Sequence, residues 1–260
     1  LSAAPRNMAV IEALGGTPPE YAHLPQVLGQ DGKPLSKRHG STSVEAFREQ
    51  GILPEALMNY LALLGWSLDE KTTFLSRDEL IGSFDLSRVS SNAAAFDPQK
   101  LEWMNNHYIQ SLDYDDLAAR CMRFLAEDGL LPDPLVLRRA MAVVRGRMKR
   151  LTDVTDLLRF LFTDDVKPNE KAAELIAQAG SEYLGSAADA LDRVDQWTKG
   201  PIEEALDVVA KEAGLNRTKG WQPIRAAVTG SNVSPPLPES LELLGREATV
   251  ARLRAAAAGG

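Results

Sequence analysis

Helix punctuation recurs along this chain at such short intervals that little room is left for long strands. In "PEALMNYLALLG", Pro54 takes a first-turn position, Leu57, Leu61 and Leu64 follow at i, i+4 and i+7, and Gly65 marks a stop. "SRDE" at 76–79 is a capping box that starts a helix at Arg77. "FDPQKLEWMNNHYI" repeats the grammar, with Asp97 as cap, Pro98 as the first helical residue and Leu101 and Met104 as a buried stripe. After the polar junction "QSLDYDD", helices are predicted near 115–127, 133–149, 153–162, 169–179, 186–198, 201–213, 221–228, 238–244 and 247–256. Thr152, Gly200 and Gly214 supply caps and stops among them. Short loops between such helices predict an all-helical bundle or cage.

A different texture appears in "GGTPPEYAHLPQVLGQDGKPLSKRHG", where Gly and Pro surround an extended apolar patch at Leu24 to Leu28, so strand and loop are predicted there. The 260 residues are 44% apolar, enough for the cores of two domains. A formal net charge of -7 excludes a uniformly basic coat but leaves room for a basic face on an acidic body. The single cysteine, Cys121, falls in the apolar pattern of a helix, which excludes a disulfide and a cysteine-rich zinc site and suits a reducing, cytoplasmic setting. No apolar run approaches the roughly 18 to 20 residues that span a bilayer, so no membrane contact is expected. The chain opens at Leu1 with a helical pattern (Met8, Ile11, Ala13, Leu14) already under way, as expected for a piece of a longer protein.

Several groups bear on chemistry. In "KPLSKRH", Lys37 and Arg38 offer an ammonium and a guanidinium suited to phosphate oxygens, and Ser36 a hydroxyl; an exposed basic turn has the same composition. No Walker A spacing occurs, which argues against a P-loop. His23, His39 and His107 form no metal-binding pair, and His23 and His39 read as structural. "LRRAMAVVRGRMKR" carries six cations and no acid, and on one helix over 133–149 Arg138, Arg145 and Lys149 recur at i, i+7 and i+11 as a cationic ridge, suited to a polyanion or simply to solvent. In "NRTKGWQPIR", Trp221 lies among Arg217, Lys219 and Arg225, a composition that fits stacking on an unpaired base and equally fits a core anchor. The paired acids Asp115/Asp116 and Asp164/Asp165 belong to helix starts and turns.

Taken with its flanks, "GKPLSKRHG" resembles the KMSKS loop of class I aminoacyl-tRNA synthetases. "YAHLPQVLG", "GILPEALMNYLALLGWS", "FDPQKLEWMNNHYI" and "QPIRAAVTGSNVSPPLPESLELLGRE" narrow the likeness to bacterial-type glutamyl-tRNA synthetase, over nearly the whole chain. The resemblance implies a mostly α chain. Residues 1–43 would be the end of a Rossmann-type catalytic domain, 44–107 a helical stem-contact region, and 108–260 an all-helical anticodon-binding cage.

It also implies a glutamate–tRNA ligase in which ATP, as its Mg2+ complex, activates glutamate for transfer to tRNA, with no zinc in this part and a monomeric, cytoplasmic protein. The motif positions are Pro34, Leu35, Ser36, Lys37 and Arg38, with Lys37 and Ser36 in the catalytic role and ATP contacted by Lys37 and by backbone near Gln26 and Val27. Pro34 departs from the motif, whose first lysine has moved to Lys33. The family's nucleotide-binding first half and glutamate pocket are absent from these 260 residues, so the chain alone is expected to be inactive. The alternative is a free-standing helical tRNA-binding module without catalysis.

Overall fold

The computed structural model describes residues 3–36 and 43–259. It divides into two compact units, Leu1–Met104 and Asn105–Gly260.

In the first unit, α1 (Ala4–Ala13) buries none of its residues and is followed by extended chain. β1 (Val27–Leu28) pairs in parallel with β2 (Ala94–Ala95), so only the end of the predicted apolar patch is a strand. Ser43 caps α2 (Val44–Glu49) by accepting from the Ala46 amide, and Gly51, at φ 76°, turns the chain out of it. α3 (Pro54–Ala62) stops two residues before Leu64, and Gly65 instead lends its carbonyl to the Ser90 amide. The capping box at Ser76 is present in full at the start of α4 (Arg77–Ser83). Phe47, Leu57, Tyr60, Phe96, Leu101 and Met104 form the core. Tyr60 meets Phe96 edge-on at 5.3 Å and its hydroxyl accepts from the Asp97 amide at 2.6 Å. Asp97 in turn accepts from the Gln99 and Lys100 amides, capping α5 (Pro98–Ser111) as its sequence predicts.

Among its described residues the second unit has helices and turns but no strand, with its helices in the order α6 (Tyr114–Glu127), α7 (Pro134–Val144), α8 (Asp153–Leu158), α9 (Glu170–Asp192), α10 (Lys199–Glu212), α11 (Arg217–Thr229), α12 (Leu237–Leu244) and α13 (Arg246–Ala258). Side chains of Asp113, Asp133, Asn169 and Asn216 cap α6, α7, α9 and α11. α9 is broken at Gly180, whose φ 77° and ψ 163° only glycine holds readily, close to the gap predicted after residue 179. Gly200 and Pro201 lie in the first turn of α10 rather than before it. Thr152 takes helical φ and ψ and makes no cap; Asp153 serves that turn by accepting from the Lys149 and Arg150 amides. Apolar faces of α9 to α13 close on a core of Leu184, Leu191, Leu206, Ile224, Leu241 and Leu253. Cys121 is buried on α6, which pushes its thiol up to about 12, so it is inert at neutral pH.

The predicted helix over 133–149 does not run to its end. α7 stops at Val144 and Arg145–Arg147 form a 3-10 turn. The reason lies on α5: Gln110 donates to the Arg145 carbonyl at 2.6 Å, Asn106 to that of Met148 at 2.7 Å and Asn105 to that of Lys149 at 2.6 Å. Side-chain amides thus satisfy carbonyls that a continuing helix would have used internally. The i, i+7, i+11 spacing of Arg138, Arg145 and Lys149 therefore has no helical meaning.

Candidate nucleic-acid interface

In the first unit, the chain around the motif turns tightly. The Gly29 amide donates to the Lys33 carbonyl at 2.8 Å, Gly32 holds φ 72°, and the Lys33 amide donates to Asp31 at 3.0 Å. Leu35 then donates to the Val27 carbonyl at 2.8 Å, and Pro34 bridges to Leu28. This turn suits a proline, whose missing donor the pairing does not require. Gln26 and Ser36 are exposed, and Val27 is half-buried against the core. Lys37, Arg38 and His39 lie outside the described residues. His23 lies parallel to Tyr21 at 6.5 Å, and His107 stands edge-on to Tyr108. Among the described residues no cluster of three or more His, Cys, Asp or Glu side chains can hold a metal ion, and no helix is long and apolar enough to cross a membrane.

In the second unit, charge rather than size singles out a surface. A cavity of about 510 Å³ mixes Asp156 and Asp165 with Arg159 and Lys167, and one of about 340 Å³ carries Glu182 and Glu212. A third, of about 370 Å³, is lined by Arg147, Arg217, Trp221, Gln222, Arg225 and Asn232 with no acid among its lining residues. Here the 3-10 turn after α7, the first turns of α11 and the loop after α11 converge.

The cations of this cavity are not equivalent. Arg225 is half-buried and donates to the Ser234 carbonyl at 3.2 Å, to the Ser234 hydroxyl, and to the Pro235 carbonyl at 2.6 Å. Its pKa is lowered first by burial and then by the nearby Arg147 charge. It works as a clip that shapes the 231–235 loop. Arg217 lies over the Trp221 ring, 4.8 Å from its centroid, and is held by Glu203 at 2.6 Å and by Asp207. Arg147 is exposed, and its guanidinium forms no hydrogen bond or ion pair among the described residues. It is the lining cation open to an incoming anion.

The predicted ridge fares differently. Arg138 pairs with Asp115 at 2.7 Å. Arg145 donates to the Leu112 carbonyl at 3.0 Å and covers the Tyr114 ring at 4.5 Å. Lys149 is exposed, with its backbone tied at both ends to Asp153 and Asn105. Lys219 is exposed, and its amide donates to the capping Asn216. The structure thus gathers Arg217, Trp221 and Arg225, leaves Arg138 and Arg145 apart from them, and adds Arg147, Asn232 and Ser234. Of these additions Arg147 stood in the sequence only as one cation in a run, and Asn232 and Ser234 only within the phrase that begins at Gln222.

Comparison with known proteins finds two family models on this chain. A family model described as the anticodon binding domain matches residues 116–257, more than half of the chain, and one described as the catalytic domain of class I tRNA synthetases (E and Q) matches residues 1–103. Glutamate–tRNA ligases of Nocardioides sp. and Rhodococcus jostii are 40% and 41% identical over 98% and 100% of this chain. A solved glutamate tRNA ligase from Elizabethkingia meningosepticum superposes on 99% of the chain with a TM-score of 0.83 at 27% identity, covering 55% of that structure. The chain spans about half the length of the curated relatives it matches, 55% in both cases. With a class I catalytic match and an anticodon-binding match joined in one polypeptide, the chain belongs to the glutamate–tRNA ligase family of class I tRNA synthetases.

Proposed function

We propose that this chain serves an ATP-dependent glutamate–tRNA ligase, to which it contributes the phosphate-closing loop and the tRNA-binding surface. In this reading residues 1–43 complete the catalytic domain, 44–107 contact the tRNA stem, and 108–260 hold the anticodon. Magnesium arrives with ATP as part of the substrate. Glutamate's carboxylate attacks the α-phosphate and pyrophosphate departs. A cation over the phosphates stabilises that growing charge most in the transition state, and Lys37 is the residue for the task, with Ser36 positioning the loop and Arg38 a secondary anion contact. The turn that begins at Gly29 pins the backbone of Lys33 and Leu35, next to the Ser36 of this loop. A monomeric enzyme working in the cytoplasm completes the reading.

The observation that carries tRNA binding is the cavity with three arginines and no lining acid inside the region matched as an anticodon-binding domain. Arg147 is the phosphate or base-edge contact, since Arg225 is committed to the 231–235 loop and Arg217 to two carboxylates. Arg147→Ala is expected to weaken binding of a glutamate tRNA transcript about tenfold to a hundredfold, the scale of a hydrogen bond to a charged group. If the lost contact is a phosphate, the slope of log affinity against log salt falls by roughly 0.7 to 0.9. Filter binding across a salt series checks this, and an affinity like that of the unsubstituted chain would remove Arg147 from the site. A free-standing tRNA-binding module predicts the same binding; combining the chain with the remaining half of a relative and assaying glutamate-dependent ATP–pyrophosphate exchange separates the two.

A further inference from the structure

The ring that best suits a nucleobase in this cavity, Trp221, is already covered. Arg217 lies over it at 4.8 Å, and its terminal nitrogens are taken by Glu203 and Asp207. The two acids belong to α10 and the arginine and indole to α11, so a contact between neighbouring helices fixes the guanidinium. Both carboxylates raise the Arg217 pKa, so its positive charge is permanent. Locally, however, one cation meets two anions, and this corner of the cavity is poorly suited to a phosphate. With the indole on one side and two carboxylates at its nitrogens, the Arg217 side chain is still 55% exposed.

We propose that Arg217, held on Trp221 by Glu203 and Asp207, is a stacking platform for one unpaired base of the bound tRNA. This rests on the tRNA-binding reading above. Guanidinium planes stack on nucleobases as aromatic rings do, and a plane already oriented by two ion pairs loses little freedom when the base arrives. The cavity is then polar in direction: Arg147 faces the backbone or a base edge, and the base lies at the Arg217 end. Gly220 favours the arrangement by letting α11 approach α10, for a Cβ there would stand 2.5 Å from the Ala210 Cβ and 2.9 Å from the Tyr183 hydroxyl.

The test uses the full 260-residue chain and synthetic RNA hairpins bearing the anticodon stem-loop of a glutamate tRNA, intact or with one loop base at a time removed to leave an abasic sugar. Arg217→Lys keeps the charge and an ion pair but loses the plane, and Asp207→Asn loosens the clamp. At one loop position, base removal is expected to weaken binding to the unsubstituted chain about tenfold, on the scale of a single stacked base. The same removal should cost both variants less than about twofold, and Arg217→Gln, which removes the charge, should leave the salt slope unchanged. Equal penalties in all three proteins at every position would overturn the platform, as would a slope lowered by about 0.7 in Arg217→Gln, the mark of a phosphate contact. If the unsubstituted chain does not bind the intact hairpin, the tRNA-binding reading itself falls; binding that depends on Arg147 but is indifferent to Arg217 sinks only the platform.

Discussion

Gly230→Ala is expected to destabilise the second unit by about 3 kcal/mol, the sum of a left-handed backbone cost of roughly 1 to 2 and an overpacking cost of roughly 1 to 3. Gly230 ends α11 at φ 70° and ψ 6°, donates to the Ala226 carbonyl and accepts from the Asn169 amide, each at 2.9 Å. A Cβ there would meet the Val166 Cγ1 at 2.7 Å and the Lys167 carbonyl oxygen at 2.9 Å. The valine methyl can rotate, but the carbonyl is backbone and yields only if the 166–169 segment moves. For a unit of this size the loss corresponds to a Tm lower by about 6 to 12 °C, measurable by calorimetry. Gly214→Ala is the control: its φ is 68°, yet nothing lies within 4 Å of its Cβ, so only the backbone cost of about 1 kcal/mol should appear. Equal losses at the two glycines would show that the 166–169 segment gives way freely. Because Gly230 also launches the 231–235 loop, the same variant should weaken tRNA binding.

Lys37→Ala, in a synthetase assembled around this chain, is expected to lower glutamate-dependent ATP–pyrophosphate exchange about 10²- to 10³-fold, the usual cost of removing one donor from developing charge. Glutamate and tRNA affinities should move little, since the proposed contact strengthens only as pyrophosphate leaves. A KM for ATP raised by the same factor with kcat preserved would make Lys37 a ground-state phosphate ligand instead. An unchanged exchange rate would end its catalytic assignment. Lys33 is the informative comparison, because its backbone is pinned in the turn from Gly29. If Lys33 has taken over from the motif's displaced first lysine, Lys33→Ala will share the phenotype.

Local rules made much of the helical framework legible. The Ser76 capping box, the Asp97 cap and the glycine turns at Gly51 and Gly214 are short-range devices, decided by residues within three or four positions of the backbone they satisfy. At the end of α7 the reading failed because partners distant in sequence intervened. The helix expected to reach residue 149 ends at Val144 because Gln110, Asn106 and Asn105 satisfy carbonyls more than thirty residues away. A helical wheel cannot register that, so the ridge of Arg138, Arg145 and Lys149 looked real. The cluster around Trp221 was visible as composition, but whether the indole or the arginine faces a ligand depends on acids of the preceding helix.

By itself, then, the sequence determined the mostly helical class, the positions of several caps and stops and, through several phrases in a shared order, the family. These are properties of contiguous residues, and they survive in a string. Tertiary structure alone decided which cations remain available. Arg138 and Arg145 are engaged by Asp115 and by Leu112 and Tyr114, Arg225 by its own loop, and Arg217 by Glu203 and Asp207, while Arg147 stands open among the described residues. A charge is written in the sequence, but its freedom to meet a phosphate depends on which acids and carbonyls the packed helices bring within hydrogen-bonding distance of it.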